Sequence, residues 1–97
     1  MTAIPQDNID TIKSYIRDKF QGCSIDDSYD SNRDAQDFRI EHQGNRFIFS
    51  ASEEFLIDHE AHEIPTLFDK YTLYEHLLEC GVDFHIVVTN TGLKESV

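Results

Sequence analysis

A chain of 97 residues and 11.3 kDa can hold one hydrophobic core, which excludes a two-domain arrangement over 1–97 and still allows folding without a metal or disulfide staple. Its 8 Lys and Arg face 19 Asp and Glu, a formal net charge of −11. Such a surface repels phosphate backbones and anionic headgroups, so neither direct nucleic-acid binding nor membrane binding is expected. Hydrophobic residues at 39%, with 7 Phe and 4 Tyr, argue against a disordered acidic chain, because they bury enough area to offset chain entropy.

The opening Met-Thr-Ala-Ile-Pro-Gln-Asp lacks the charged and apolar regions of a signal peptide, and no stretch approaches the ~18–20 apolar residues of a membrane span. Cys23 and Cys80 are too few for a secreted disulfide scaffold. A cytosolic protein with two reduced thiols is the expectation.

Ile9, Ile12, Ile16 and Phe20 recur at intervals of three, four and four, the stripe of an amphipathic helix. Asp7 and Asp10 suit its positive end, Lys13, Arg17 and Lys19 its negative end, and Gly22 its stop. Cys23, Ile25 and Tyr29 alternate weakly through Asp and Ser, consistent with an edge strand or an ordered loop. Phe38, Ile40 and His42, then Phe47 and Phe49, alternate with polar neighbours around Gly44-Asn45, which predicts a β-hairpin turning on those two residues. Glu54 to Ile57 either extends the second strand past a bulge near Ser52 or forms a turn of helix starting there; the window is too short for periodicity to arbitrate.

Thr72-Leu73-Tyr74-Glu75 has the form of a capping box. Leu73, Tyr74, Leu77 and Leu78 then form an apolar face that predicts a second helix to about Cys80, with Gly81 as its stop and Pro65 marking an earlier helical start. Phe84, Ile86 and Val88 alternate in a final strand, apolar on both faces and so interior to the sheet. Residues 90–97 read as a turn and a loose tail. The fold class is therefore α+β, one domain over 1–97. It is expected as two layers, an antiparallel or mixed sheet of 3–4 strands with two helices packed on one face, in the order α-β-β-β-α-β. Double-stranded-RNA-binding domains resemble this order in part, but carry basic residues on the second helix where this chain has Glu75 and Glu79. Small acidic secretion chaperones are similar in part of the order, without matching motifs.

Two clusters carry candidate chemistry. Counted from Asp26 to Asp37, oxygen-bearing side chains fall at positions 1, 3, 5, 7, 9 and 12, as in an EF-hand loop. Asp26, Asp30, Asp34 and Asp37 are therefore candidate ligands for calcium or another hard cation. Ser31 replaces the glycine of the sharp turn, Asp37 the longer glutamate, and the flanks read as strands, so a solvated acidic connection is the plainer account. His59-Glu60-Ala61-His62, with Glu63, is one residue short of the zinc-protease His-Glu-x-x-His spacing, yet His59 and His62 could chelate zinc or nickel if another ligand came near.

Nucleophilic catalysis gains no support from two cysteines at helix C-terminal ends, where the dipole disfavours a thiolate. Isolated glycines offer no phosphate-cradling loop, and no cofactor is implied. Tyr71 and Tyr74 could form a partner-binding ridge and Asp27 part of an acidic patch, although core packing is the plainer account of the tyrosines. The leading expectation is a small acidic protein-interaction module, an adaptor, inhibitor or chaperone without a recognisable catalytic site. It would bind a protein partner, most simply a basic one, through the open sheet face or the acidic loop. The alternative is a metal- or small-molecule-binding domain, enzymatic or not, using Asp26–Asp37 or His59–Glu63. The charge is equally compatible with a salt-rich environment, and an exposed sheet edge with a small core leaves homodimerisation open.

Overall fold

The computed structural model describes residues 4–80 and 85–96. The predicted helix stop Gly81 and strand residue Phe84 lie outside them. Along the chain come α1 (Gln6–Lys19), β1 (Ser24–Asp30), β2 (Ala35–His42), β3 (Asn45–Ser52), α2 (Glu53–Asp58), a 3-10 turn (Ala61–Glu63), α3 (Ile64–Lys70), α4 (Leu73–Cys80), β4 (His85–Thr89) and β5 (Gly92–Ser96). The α+β class expected from the sequence holds, but among the described residues the sheet has five strands and there are four α-helices.

The strands lie in the order β1-β2-β3-β4-β5. All neighbours are antiparallel except β3 and β4. A parallel pair cannot be joined by a tight turn, so the chain from Ser52 must return along the whole sheet before β4 begins, and α2, α3 and α4 make that return. Alternation then divides the side chains. Phe38, Ile40, Phe47, Phe49, Ala51, Ile86 and Val88 point at the helices and are buried, as are Ile12, Ile16, Phe20, Phe55, Leu56, Ile64, Phe68, Leu73 and Leu77 from the helical side. Phe38 stacks on Phe49 at 5.0 Å between ring centroids, and Phe68 meets Phe49 edge-on at 6.1 Å. Phe20 packs against Phe47 and Tyr74, each at 5.1 Å.

Three local expectations are corrected. The β2–β3 turn is centred on Gln43 and Gly44, with φ of 51° and 79°, so Asn45 already pairs with His42. Two successive positive φ values define the turn whose twist suits a hairpin, and here they fall one residue earlier than Gly44-Asn45. The capping box at Thr72 does not form. Thr72 sits at φ 55°, its N–H is already donated to the Asp69 carbonyl at 3.1 Å, and its hydroxyl donates to the Tyr71 carbonyl at 2.6 Å. A capping box occurs instead at Glu60 and Glu63, where Glu63 accepts from the Glu60 N–H at 2.9 Å. Residues 92–96 of the expected tail form β5, since Gly92 at φ 118° turns the chain back and Leu93 pairs with Val88.

Ser52 settles the ambiguous segment as helix, its hydroxyl accepting from the Phe55 N–H at 3.1 Å. The edge strand β1 places Asp27 and Tyr29 toward the helices, and both are satisfied there. Asp27 pairs with Lys13 of α1 and accepts from the buried Gln36 amide at 2.7 Å. The Tyr29 hydroxyl lies 3.3 Å from both Asp34 and Glu53, and burial followed by these carboxylates pushes its pKa up to about 12.

The buried Asn8 ties the first helix to the second. Its amide nitrogen donates to the Leu56 and His59 carbonyls at 2.8 and 2.9 Å, groups that the end of α2 leaves without intrahelical partners. Asn8→Ala is expected to lower the unfolding free energy by about 1–3 kcal/mol, the cost of unsatisfied buried groups. Asn8→Asp should cost more, because a carboxylate offers these oxygens no hydrogen. Urea denaturation reads both, and wild-type stability of the Asp variant would show that the amide is not the tie.

Candidate functional site

The side of the sheet away from the helices carries Ser24, Asp26, Ser28 and Asp30 from β1; Asp37, Arg39 and Glu41 from β2; Arg46, Ile48, Ser50 and Ser52 from β3; His85, Val87 and Thr89 from β4; and Lys94 from β5. The β2–β3 register sets Asp37 directly opposite Ser50. On β4, Ile86 pairs with Phe49 toward the core, so His85 emerges on the open side beside Ser50. Arg33 reaches over all three from the β1–β2 turn.

The contacts close into a network. Ser50, fully buried, donates its hydroxyl hydrogen to Asp37 Oδ1 and lies 2.6 Å from His85 Nε2. Arg33 lies 3.2 Å from His85 Nδ1, donates to Asp37 Oδ1 at 2.8 Å and to Asp30 Oδ2 at 2.9 Å, and reaches Ser50 at 3.5 Å. Arg33 holds Asp30 below the usual carboxylate range. Burial, and then the Arg33 charge, lower the His85 pKa from 6.5, outweighing the opposite pull of Asp37 and Asp30.

Proton positions follow from the donor inventory. A guanidinium only donates, so Nδ1 of His85 accepts from Arg33, and the ring hydrogen sits on Nε2 and is donated to Ser50 Oγ. A serine nucleophile needs the reverse, with Nε2 accepting the hydroxyl hydrogen and a carboxylate receiving Nδ1–H. Serine, histidine and aspartate meet here with the proton order inverted. With the proton on Nε2 the imidazole cannot take the serine proton, and the contacts of the cluster bind strands β2, β3 and β4 and the turn 31–34 to one another.

Most of the residues singled out in the sequence are engaged with neighbours. Extended backbone over Asp26–Asp30 sets Asp26, Ser28 and Asp30 on one face but about 6.6 Å apart in succession along the strand, so the EF-hand spacing does not converge on one point. Asp26 pairs with Arg39 at 3.1 Å, Asp30 and Asp37 share Arg33, and Asp34 lies beside Tyr29. His59 packs on Phe55 with ring centroids 4.8 Å apart and meets Asn90 at 3.1 Å. His62 is exposed, 3.5 Å from Glu60. Among the described residues, no group of three or more His, Cys, Asp or Glu is placed to hold a metal ion. Tyr71 and Tyr74 lie half-buried against the core, and Cys23 is a half-buried free thiol.

The sequence gives no sign that Ser50, His85 and Arg33 meet. With a turn on Gly44-Asn45, Asp37 would face Ser52; the one-residue difference hides its partner. The His85 position depends on the parallel placement of β4, for which the local sequence carries no signal.

Charge is divided between the two sides. On the open side Asp26, Asp30, Asp37 and Glu41 are matched by Arg33, Arg39, Arg46 and Lys94, and most are paired in place. All other carboxylates among the described residues lie on the helical side or the edges, against Lys13, Arg17, Lys19 and Lys70 alone. No described helix is long and apolar enough to cross a membrane. No family model matches the chain, and neither a curated protein nor a solved structure matches it significantly.

Since the folded His85 pKa lies below its unfolded value of 6.5, the unfolded chain takes up the proton first. Its contribution to stability is complete above about pH 6.5 and is lost as pH falls through the folded pKa. His85→Gln, which can still donate to Ser50 and accept from Arg33, should flatten that part of the melting-temperature profile between pH 7.5 and 5. Parallel wild-type and Gln profiles would remove His85 as the titrating group.

Proposed function

We propose that this protein is an interaction module, an adaptor, inhibitor or chaperone in type, that receives a basic segment of a partner protein on its acidic helical side. The supporting observation is the division of charge: the net negative charge lies almost wholly on that side, while the open sheet face is balanced. A cation-rich partner would therefore be steered to the helices, where the field is strongest.

Around α2 the surface has a shallow concavity lined by Arg33, Asp34, Ser52, Glu53, Glu54, Ile57 and Asp58. Ile57 is 50% exposed, and among the described residues no ion pair engages Glu53, Glu54 or Asp58. Tyr29 holds Asp34 and Glu53 from one side, and Asn90 donates to Asp58 at 2.8 Å from the other. A lysine or arginine suits this combination, its methylene stem covering Ile57 while its charged end meets the carboxylates.

Affinity capture from cell extract, followed by titration of the purified partner, tests the reading. Glu54→Lys and Ile57→Ser, both at exposed positions, are each expected to weaken binding about tenfold or more, as would a rise from low to physiological salt. Glu75→Lys on α4 should change it far less. A partner bound equally by all three variants, or insensitive to salt, would exclude the acidic helical side as the contact.

A further inference from the structure

Charge on the open sheet face is balanced in total but uneven in distribution. The β1–β2 half carries Asp26, Asp30, Asp37 and Glu41 against Arg39 alone from the same strands, whereas β3 and β5 contribute Arg46 and Lys94 and no carboxylate to this side. Between the halves lie Ile48 and Val87, both half-buried, while Arg33 from the β1–β2 turn sits on the acidic half, paired with Asp30 and Asp37.

We infer that this face is the contact between two copies of the chain, packed sheet to sheet about a two-fold axis running along the strands. Such an axis lays β1 of each copy across β5 of the other, so the acidic half of one face meets the basic half of its twin, and Lys94 of one copy comes level with Ser28 of the other, within reach of the flanking Asp26 and Asp30. Any approach through the helical sides would bring two strongly negative surfaces together. Covering the sheet face leaves no carboxylate without a cationic partner, because Asp26, Asp30, Asp37 and Glu41 are already ion-paired within their own copy, and an uncompensated buried charge costs more than an intact pair. Ile48 and Val87 supply the apolar centre that the twin copy covers.

Its size sets the expected strength. Five strands ~4.8 Å apart and about seven residues long span roughly 550 Å² per copy. About 1,100 Å² in total is at the low end of specific interfaces, the size of weak, reversible contacts. This inference stands apart from the basic-partner reading, since a monomer could serve that role equally well.

Sedimentation of the full chain across the micromolar range tests it. The expected mass rises from 11.3 kDa to twice that value with concentration. Asp26→Lys and Lys94→Glu should each hold the chain monomeric, by like-charge contact at both symmetric positions. An equimolar mixture of the two variants should recover the dimer, because in the mixed pair both positions regain opposite charges. Glu75→Lys on the helical side should leave the equilibrium unchanged. Melting curves matching wild type establish that each variant is folded. A wild type that stays at single-chain mass throughout, a dimer indifferent to both sheet-face variants, or folded variants that fail to recover it when mixed would each overturn the inference.

Discussion

The architecture depends on the parallel pairing of β3 with β4. Two parallel neighbours require the connecting chain to travel back the length of the sheet, and the segment of α2, α3 and α4 makes that return. Because its helices carry buried faces at Phe55, Leu56, Ile64, Phe68, Leu73 and Leu77, they lie over the same side of the sheet as α1 and leave the other side uncovered. The same pairing aligns Phe49 with Ile86, which completes the core on one side and brings His85 to Ser50 on the other. One topological choice thus produces the single helical layer, the open face and the polar network on it.

That network illustrates why residue types alone do not define a catalytic site. Ser50 lies within hydrogen-bonding distance of both His85 and Asp37, and the 2.6 Å separation of Ser50 from His85 is as short as a nucleophile and its base require. The fourth member decides the outcome. Arg33 can only donate, and by occupying Nδ1 it places the imidazole hydrogen on the nitrogen that a base would need free. It also pairs with both Asp37 and Asp30, so neither carboxylate stands without a cationic neighbour. The network's effect is mechanical: it fastens the β1–β2 turn across the middle of the sheet, where Ser50 would otherwise be a buried hydroxyl without a partner.

Elements whose information is local were legible in the sequence. The stripe from Ile9 to Phe20, the two hairpin strands and the helix over Leu77 announce themselves through period and alternation. Misreadings occurred where two local signals competed or where the deciding partner was distant. Gly44 can occupy either central position of a tight turn, and only the pairing of Phe38 with Phe49 selects the second. Thr72 carries a capping-box pattern but has already spent its N–H on closing α3. Residues 92–96 are polar enough to read as a tail, and become a strand because Leu93 has Val88 to pair with. The site was less legible than the fold, since Arg33, Asp37, Ser50 and His85 come from four separate stretches of chain and are related only by strand register and order.

Strand alternation also explains how one acidic chain presents two electrically different surfaces. In β1 to β3 the residues facing away from the helices include Arg39 and Arg46, each beside a carboxylate on a neighbouring strand. Cross-strand neighbours of opposite sign are favourable and like neighbours are not, so a sheet face that carries carboxylates tends toward balance. Exposed helical positions are under weaker pairwise constraint, and here they hold most of the excess negative charge. Separation of charge by layer is therefore a consequence of secondary structure. It leaves the helical side with a long-range field suited to attracting a cationic surface and the sheet side with short-range, position-specific charge suited to registering one surface against another.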